Sequence, residues 1–231
     1  MAVDIMVENL DLIRLFKGFV RNYGTLLLGK ANIRTYTHRE IGFWMHLGEM
    51  MGYFTRAEEQ RVIHGENRRT DLLWFEDDGE TPLLHLEVEN TMSGEELVRT
   101  RMDPSVPYLV AIFWGDTESD DRVFDAAEKL IKSADDVRQI LLIIWRRIEG
   151  QGDILVEGVR FARRSDRTRI VRHIVKGRLR RMEKHTAGLY YGILDEDWND
   201  IWSCDFCHET FLSRKEAEKH EKTCSERPED E

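Results

Sequence analysis

Cysteine is scarce. Cys204, Cys207 and Cys224 are the whole complement of the 231-residue chain, and all three fall at its C-terminal end. An odd number so placed excludes a disulfide framework for a chain of this size and points to metal binding instead. A basic excess is missing as well: Lys and Arg total 34 against 44 for Asp and Glu, a formal charge of -10, which rules out a uniformly basic coat for nucleic acid. No apolar run approaches the ~20 residues of a membrane span. The first residues carry Asp4 and Glu8 where a secretory signal would carry Lys or Arg. The expectation is a soluble intracellular protein, cytoplasmic or nucleoid-associated and without a membrane partner. With 41% of its residues hydrophobic and 34% charged, the chain has the makings of one main globular domain and a small appendage.

Ile5, Leu10, Ile13, Phe16 and Val20 recur at helical spacing over residues 4–29, and a second helix is predicted from a cap at Thr37 to Met51. Tyr53 to Ile63 reads as extended, Thr70 to Phe75 and Leu83 to Glu89 as strands, and Ser93 opens a short helix. Tyr108 to Trp114 is a continuous apolar run of the kind buried on both faces. The predicted order is therefore helix, three strands, helix, strand. Beyond it, a helix over Val123–Ile131, a strand over Gln139–Ile148 and a basic hairpin over 154–184 complete a main domain of residues 1–194. Residues 195–201 read as an acidic linker and 226–231 as a disordered tail.

Residues 202–225 have metal-site spacing. Two residues separate Cys204 from Cys207, twelve more lead to His220 and three more to Cys224. A tight knuckle presents two thiolates, while His220 and Cys224, four apart on a helix, share a face and complete a tetrahedron for structural Zn2+. Trp202, Phe211 and Ala217 fall where a miniature core needs apolar groups. The segment resembles the ββα zinc finger, with Cys224 as its last ligand and Ala217 where a larger Leu is usual. A lone finger reads only about three base pairs, so nucleic-acid contact, protein docking and a purely structural role are all open for it.

Strand alternation puts Leu84, Leu86 and Val88 on one face of Leu83–Glu89 and His85, Glu87 and Glu89 on the other. A hairpin can bring Asp71, at the start of the preceding strand, beside Glu87. Carboxylates crowded together repel, and a hard cation such as Mg2+ or Mn2+ relieves that repulsion. The alternative is an ordinary half-exposed strand whose outer face is acidic.

Arg69-Thr70-Asp71-Leu72-Leu73 followed by Leu84-His85-Leu86-Glu87-Val88-Glu89 resembles the PD-(D/E)xK nuclease superfamily, the restriction-endonuclease-like fold. The resemblance implies an α/β core with added strands, Asp71 and Glu87 as catalytic metal ligands, and Glu49 as the additional acid on the helix before the first strand. Thr70 stands in place of the motif proline, and Glu89 in place of the usual lysine. Glu89 could then serve as general base or as a further ligand; otherwise the chain is a binding-only descendant.

The 160–184 stretch carries eleven basic residues against two acids: Arg160, Arg163, Arg164, Arg167, Arg169, Arg172, Lys176, Arg178, Arg180, Arg181 and Lys184 against Asp166 and Glu183. It is the expected seat of a phosphate backbone, with binding that weakens as salt rises, unless it pairs with acidic surface of the same chain. The expected activity is metal-dependent hydrolysis of DNA phosphodiester bonds. The rival readings are a nuclease-like DNA-binding protein that cuts nothing and an interaction adaptor built on the finger. A homodimer would suit double-strand cleavage, although nothing in the sequence demands one.

Overall fold

In a computed structural model the described residues are 10–27, 33–89, 91–115, 120–147, 154–163, 170–181, 192–204, 206–207, 209–225 and 227. The first helices are α1 (Leu12–Leu27) and α2 (Ile33–Met50). They are followed by β1 (Phe54–Ala57), β2 (Gln60–Ile63), β3 (Glu66–Arg69), β4 (Leu72–Phe75) and β5 (Pro82–Glu89). Helix α3 (Gly94–Thr100), β6 (Tyr108–Trp114), α4 (Asp120–Ser133), β7 (Gln139–Arg147), β8 (Ile154–Arg163) and β9 (Ile170–Arg181) come next. The chain closes with β10 (Gly192–Ser203), β11 (Thr210–Phe211) and α5 (Arg214–Glu221).

Nine strands form one mixed sheet in the order β1-β4-β5-β6-β7-β8-β9-β10-β11. Strands β5, β6 and β7 are parallel and the remaining neighbours antiparallel. The parallel pairs need crossovers, supplied by α3 and α4. Alternation then sorts the apolar residues. Tyr108, Val110, Ile112, Leu141, Ile143 and Trp145 join α1 and α2 on one face. Leu109, Ala111, Phe113, Ile140, Leu142 and Ile144 join α3 and α4 on the other. This is why Tyr108–Trp114 is apolar without alternation: both of its faces are core. A Cβ on Gly158 would stand 2.6 Å from the Phe16 ring, so the missing side chain is what lets α1 lie close against β8.

The predicted extended segment Tyr53 to Ile63 is divided into β1 and β2, and the order helix, three strands, helix and strand is met as α2, β1, β4, β5, α3 and β6 only with β2 and β3 set aside as a hairpin between β1 and β4. Its strands β2 and β3 pair with each other outside the main sheet. His64 and Gly65 turn it with φ of 52° and 82°, the two successive positive values that a tight two-residue hairpin requires.

Other expectations are corrected. Helix α2 begins at Ile33, so Thr37 lies inside it and does not cap it. Residues 195–201 are no linker: they belong to β10, which pairs with β9 along its length, apart from a register shift between Asp195 and Asn199. Backbone hydrogen bonding along a sheet edge overrides the polar composition there. Its partner β9 pairs antiparallel with β8, so the described far arm of the 154–184 hairpin is a strand. Ser93 caps α3 as expected, accepting the Glu96 amide at 3.1 Å. Residues 4–9, 164–169 and 182–184, and most of the predicted tail, lie outside the described residues. Among the described residues no helix is long and apolar enough to cross a membrane.

Candidate functional site

Asp71 precedes β4, and the register Leu72↔Leu86 and Leu73↔His85 brings it next to Glu87. Each residue then satisfies a main-chain donor of the other strand. Asp71 Oδ2 accepts the Val88 amide at 2.7 Å, and Glu87 Oε1 accepts the Asp71 amide at 3.2 Å. The two carboxyl groups are thus fixed at the open end of the β4–β5 ladder. Thr70 contributes what proline could not: its amide donates to Glu59 O at 2.9 Å, and its hydroxyl donates to the same oxygen at 3.1 Å.

The face bearing His85, Glu87 and Glu89 is not the solvated acidic face that alternation also allowed. His85 is 0% and Glu87 5% exposed, covered by α3 and the segment that follows it. His85 Nε2 lies 2.8 Å from Glu87 Oε1, and the Asp103 amide donates to His85 Nδ1 at 3.1 Å. Burial, reinforced by the charge of Glu87, raises the Asp71 carboxyl from the ordinary 3.8 to about 6, against the Val88 hydrogen bond and His85. Among the described residues neither Asp71 nor Glu87 has a Lys or Arg partner.

Glu49 does not join the pair. It is exposed, accepts the Thr55 hydroxyl at 3.3 Å, and is not among the charges that shift Asp71. The acid that α2 does contribute is Glu40, nine residues earlier and therefore half a turn out of phase with Glu49. Glu40 is 1% exposed, and its Oε1 has no hydrogen-bond partner among the described residues. Burial raises its carboxyl from 4.5 to about 8, with the Trp145 indole opposing and the charge of Asp71 adding to the rise. The readable signal was an acid in line with Trp44 and Gly48 at i+4 and i+8, on the stripe facing the core. Glu89 adds to the Asp71 shift, yet its Oε1 accepts from both the amide and the hydroxyl of Thr91 at 2.8 Å.

Two carboxylates close together, with no Lys or Arg partner among the described residues, suit a hard cation. A third donor does not converge with them as tightly as in the C-terminal group. There, one ligand atom from each of Cys204, Cys207, His220 and Cys224 lies within 4.8 Å of all the others, the sole group of three or more so gathered among the described residues. Cys207 Sγ is 3.2 Å from His220 Nε2. Ligands held tetrahedrally at ~2.3 Å stand about 3.7 Å apart, so the cluster can hold a metal ion. The Cys204 amide closes the knuckle on Glu209 O at 2.8 Å, and Ser213 caps the helix that carries His220 by accepting the Glu216 amide. The module is continuous with the main sheet. Trp202 pairs with Phe211 on one side and with His173 on the other, stacking on the His173 ring at 3.8 Å, and Phe211 lies 5.0 Å from the His220 ring.

Much of the described basic stretch is engaged within the chain. Arg163 donates to Ala134 O at 2.9 Å and also to Ile131 O, closing the C-terminus of α4. Arg172 lies over the Phe124 ring at 5.3 Å; burial lowers its pKa while Glu128, Asp121 and Asp125 oppose the shift. Lys176 reaches Glu157 at 2.5 Å. Arg160 is half-buried, with Asp11 and Arg214 as its charged neighbours. The β9–β10 register sets Arg178 opposite Asp195, Arg180 opposite Ile193 and Arg181 opposite Gly192. Arg164, Arg167 and Arg169 lie outside the described residues.

No protein-family model matches the chain, and no curated protein matches it. Among solved structures it is similar to the central domain of yeast acetyl-CoA carboxylase, at a TM-score of 0.35 and 10% identity over 68% of this chain. The match spans 26% of that chain, about a quarter of its length. A likeness at this level leaves function to be argued from the residues.

Proposed function

We propose that the chain is a nuclease-type phosphodiesterase on a restriction-endonuclease-like core, with Asp71 and Glu87 holding a divalent cation, Mg2+ or Mn2+, and Cys204, Cys207, His220 and Cys224 holding structural Zn2+. The observation that supports the reading best is the reciprocal clasp of Asp71 and Glu87. The buried Glu87 and half-buried Asp71 are locked side by side without a Lys or Arg partner among the described residues, and the Asp71 carboxyl is raised to about 6. A cation bound there supplies Lewis-acid polarisation of a phosphoryl oxygen and a more acidic water. The chain's own contribution is positional. The Val88 amide fixes Asp71, and the Asp71 amide and His85 fix Glu87. Hydrolysis would join the water oxygen to phosphorus as one P–O ester bond breaks; a carboxylate would take the proton the water gives up, and the departing sugar oxygen would leave as a hydroxyl by taking a proton from solvent. The nucleic-acid backbone would have to be held by basic residues of the β8–β9 side other than Arg163, Arg172 and Lys176, which the fold already engages.

A second reading, a nucleic-acid-binding protein without cleavage, is favoured by Glu89. Its carboxylate holds the Thr91 turn where the superfamily keeps a lysine at the reacting water. Incubating the zinc-loaded chain with plasmid and single-stranded DNA in Mg2+ or Mn2+ tests both readings. Cleavage is expected, falling about 100-fold or more in Glu87→Gln, at least the upper end of what outer-shell partners cost. Absence of cleavage, or equal cleavage by the variant, overturns the nuclease reading; DNA affinity retained by the variant without cleavage is the result the second reading requires.

A further inference from the structure

His85 is the buried titratable group that the mechanism above uses least and the structure surrounds most completely. It is 0% exposed, between Leu73 on β4 and Leu109 on β6, so its ring is confined in the sheet. A packing histidine needs no directed partner on both nitrogens, and this one has two. The Asp103 amide donates to Nδ1 at 3.1 Å, which means Nδ1 carries no proton and Nε2 carries it. The Nε2 proton is therefore available only as a donor, and the acceptor 2.8 Å away is Glu87 Oε1.

The Asp103 amide is itself held in place. The Asp103 carboxylate, 3% exposed, accepts from Arg61 Nε at 2.7 Å, from the Ser105 hydroxyl at 2.6 Å and from the Ser105 amide at 3.0 Å. Arg61 comes from β2, so the hairpin that stands outside the main sheet is tied through Asp103 to the imidazole and through the imidazole to Glu87. With His85 and the Asp71 amide both on Oε1, Oε2 is the Glu87 oxygen left without a protein donor among the described residues.

We propose that His85 is a positioning residue: through a proton held on Nε2 by the Asp103 amide, it saturates Glu87 Oε1 and presents Oε2 to the cation. The inference rests on the cation-site reading of Asp71 and Glu87 and adds to it a specific arrangement of Arg61, Asp103 and His85. Outer-shell donors of this kind typically set metal affinity by about 10–100-fold.

Two substitutions separate positioning from packing. In His85→Asn the shorter amide can still accept the Asp103 amide but cannot reach Glu87. In His85→Gln the amide nitrogen can occupy the place of Nε2 and donate to Glu87. Mn2+ titration of the zinc-loaded chain, followed by the electron paramagnetic resonance signal of free Mn2+, reads the affinity, and thermal unfolding reads the packing. The expected result is affinity lowered about 10–100-fold in His85→Asn and restored to near the wild-type value in His85→Gln. Wild-type affinity in His85→Asn, or equal loss in both variants in step with their melting temperatures, overturns the inference while leaving the cation site standing. Wild-type chain that binds no Mn2+ sensitive to Glu87→Gln overturns both.

Discussion

Cys204→Ser is expected to strip the chain of the zinc proposed for its C-terminal cluster and to open the edge of the sheet with it. The eight residues of α5 are too few to hold a helix in water, and β11 contributes two residues to its pairing, so neither survives without the ion. Structural zinc in small fingers supplies roughly 10–16 kcal/mol of apparent binding energy, far more than the buried Ala217 and half-buried Phe211 can offer here. Loss should spread beyond the finger, because Trp202 belongs at once to β10 and to the row joining His173 and Phe211. Zinc analysis is expected to fall from one equivalent per chain to well below it. Hydrogen exchange is expected to accelerate over β10, β11 and α5, while β5 to β7, flanked by both core clusters, keep their protection. Unchanged exchange in β10 would show that the finger hangs on the sheet without supporting it.

Glu40→Gln is expected to stabilise the chain, and only at neutral and alkaline pH. The folded pKa of Glu40 lies above its ordinary value, at about 8 against 4.5. Its contribution is therefore intact below about pH 4.5 and is lost progressively as pH rises through 8. At pH 7.5 the wild-type chain keeps this carboxyl mostly protonated in the fold although it would ionise freely when unfolded, a cost on the order of 4 kcal/mol. Glutamine fills the same space without that cost. Thermal unfolding in the absence of divalent ions should show the variant several degrees more stable at pH 7.5 and level with wild type near pH 4. An equal difference at both pH values would mean that the substitution acts through packing, not through ionisation.

These two sites were legible to different degrees, for reasons that lie in the residues themselves. The four candidate metal ligands sit within a single short module, so their spacing alone implies their meeting, and the cluster gathers the four named. Asp71 and Glu87 are joined by a local hairpin, and period-two alternation placed them on neighbouring strands. The burial of His85 and Glu87 was not legible, because what covers them arrives later in the chain: α3, and Asp103 held by Arg61. Glu49 and Glu40 lie on one helix half a turn out of phase. Charge alone does not distinguish them, whereas alignment with Trp44 and Gly48 does. The basic stretch shows the limit of counting charge. Arg163, Arg172 and Lys176 look like phosphate ligands in sequence, and the fold gives each a partner within the chain: the carbonyls at the end of α4, the α4 acids and Glu157. The acidic run at 195–201 read as a linker because composition says nothing of an unpaired strand edge; β9 offers one, and β10 takes it.

The most direct test of the account is the stoichiometry of Mn2+ on chain whose finger is already filled with zinc, so that the carboxylates alone remain to be counted. Paramagnetic resonance at neutral pH should find one Mn2+ bound per wild-type chain and none held with comparable affinity by Asp71→Asn or Glu87→Gln. No bound Mn2+ in the wild type, or the same binding in all three proteins, would contradict the claim that these two carboxyl groups form a cation site.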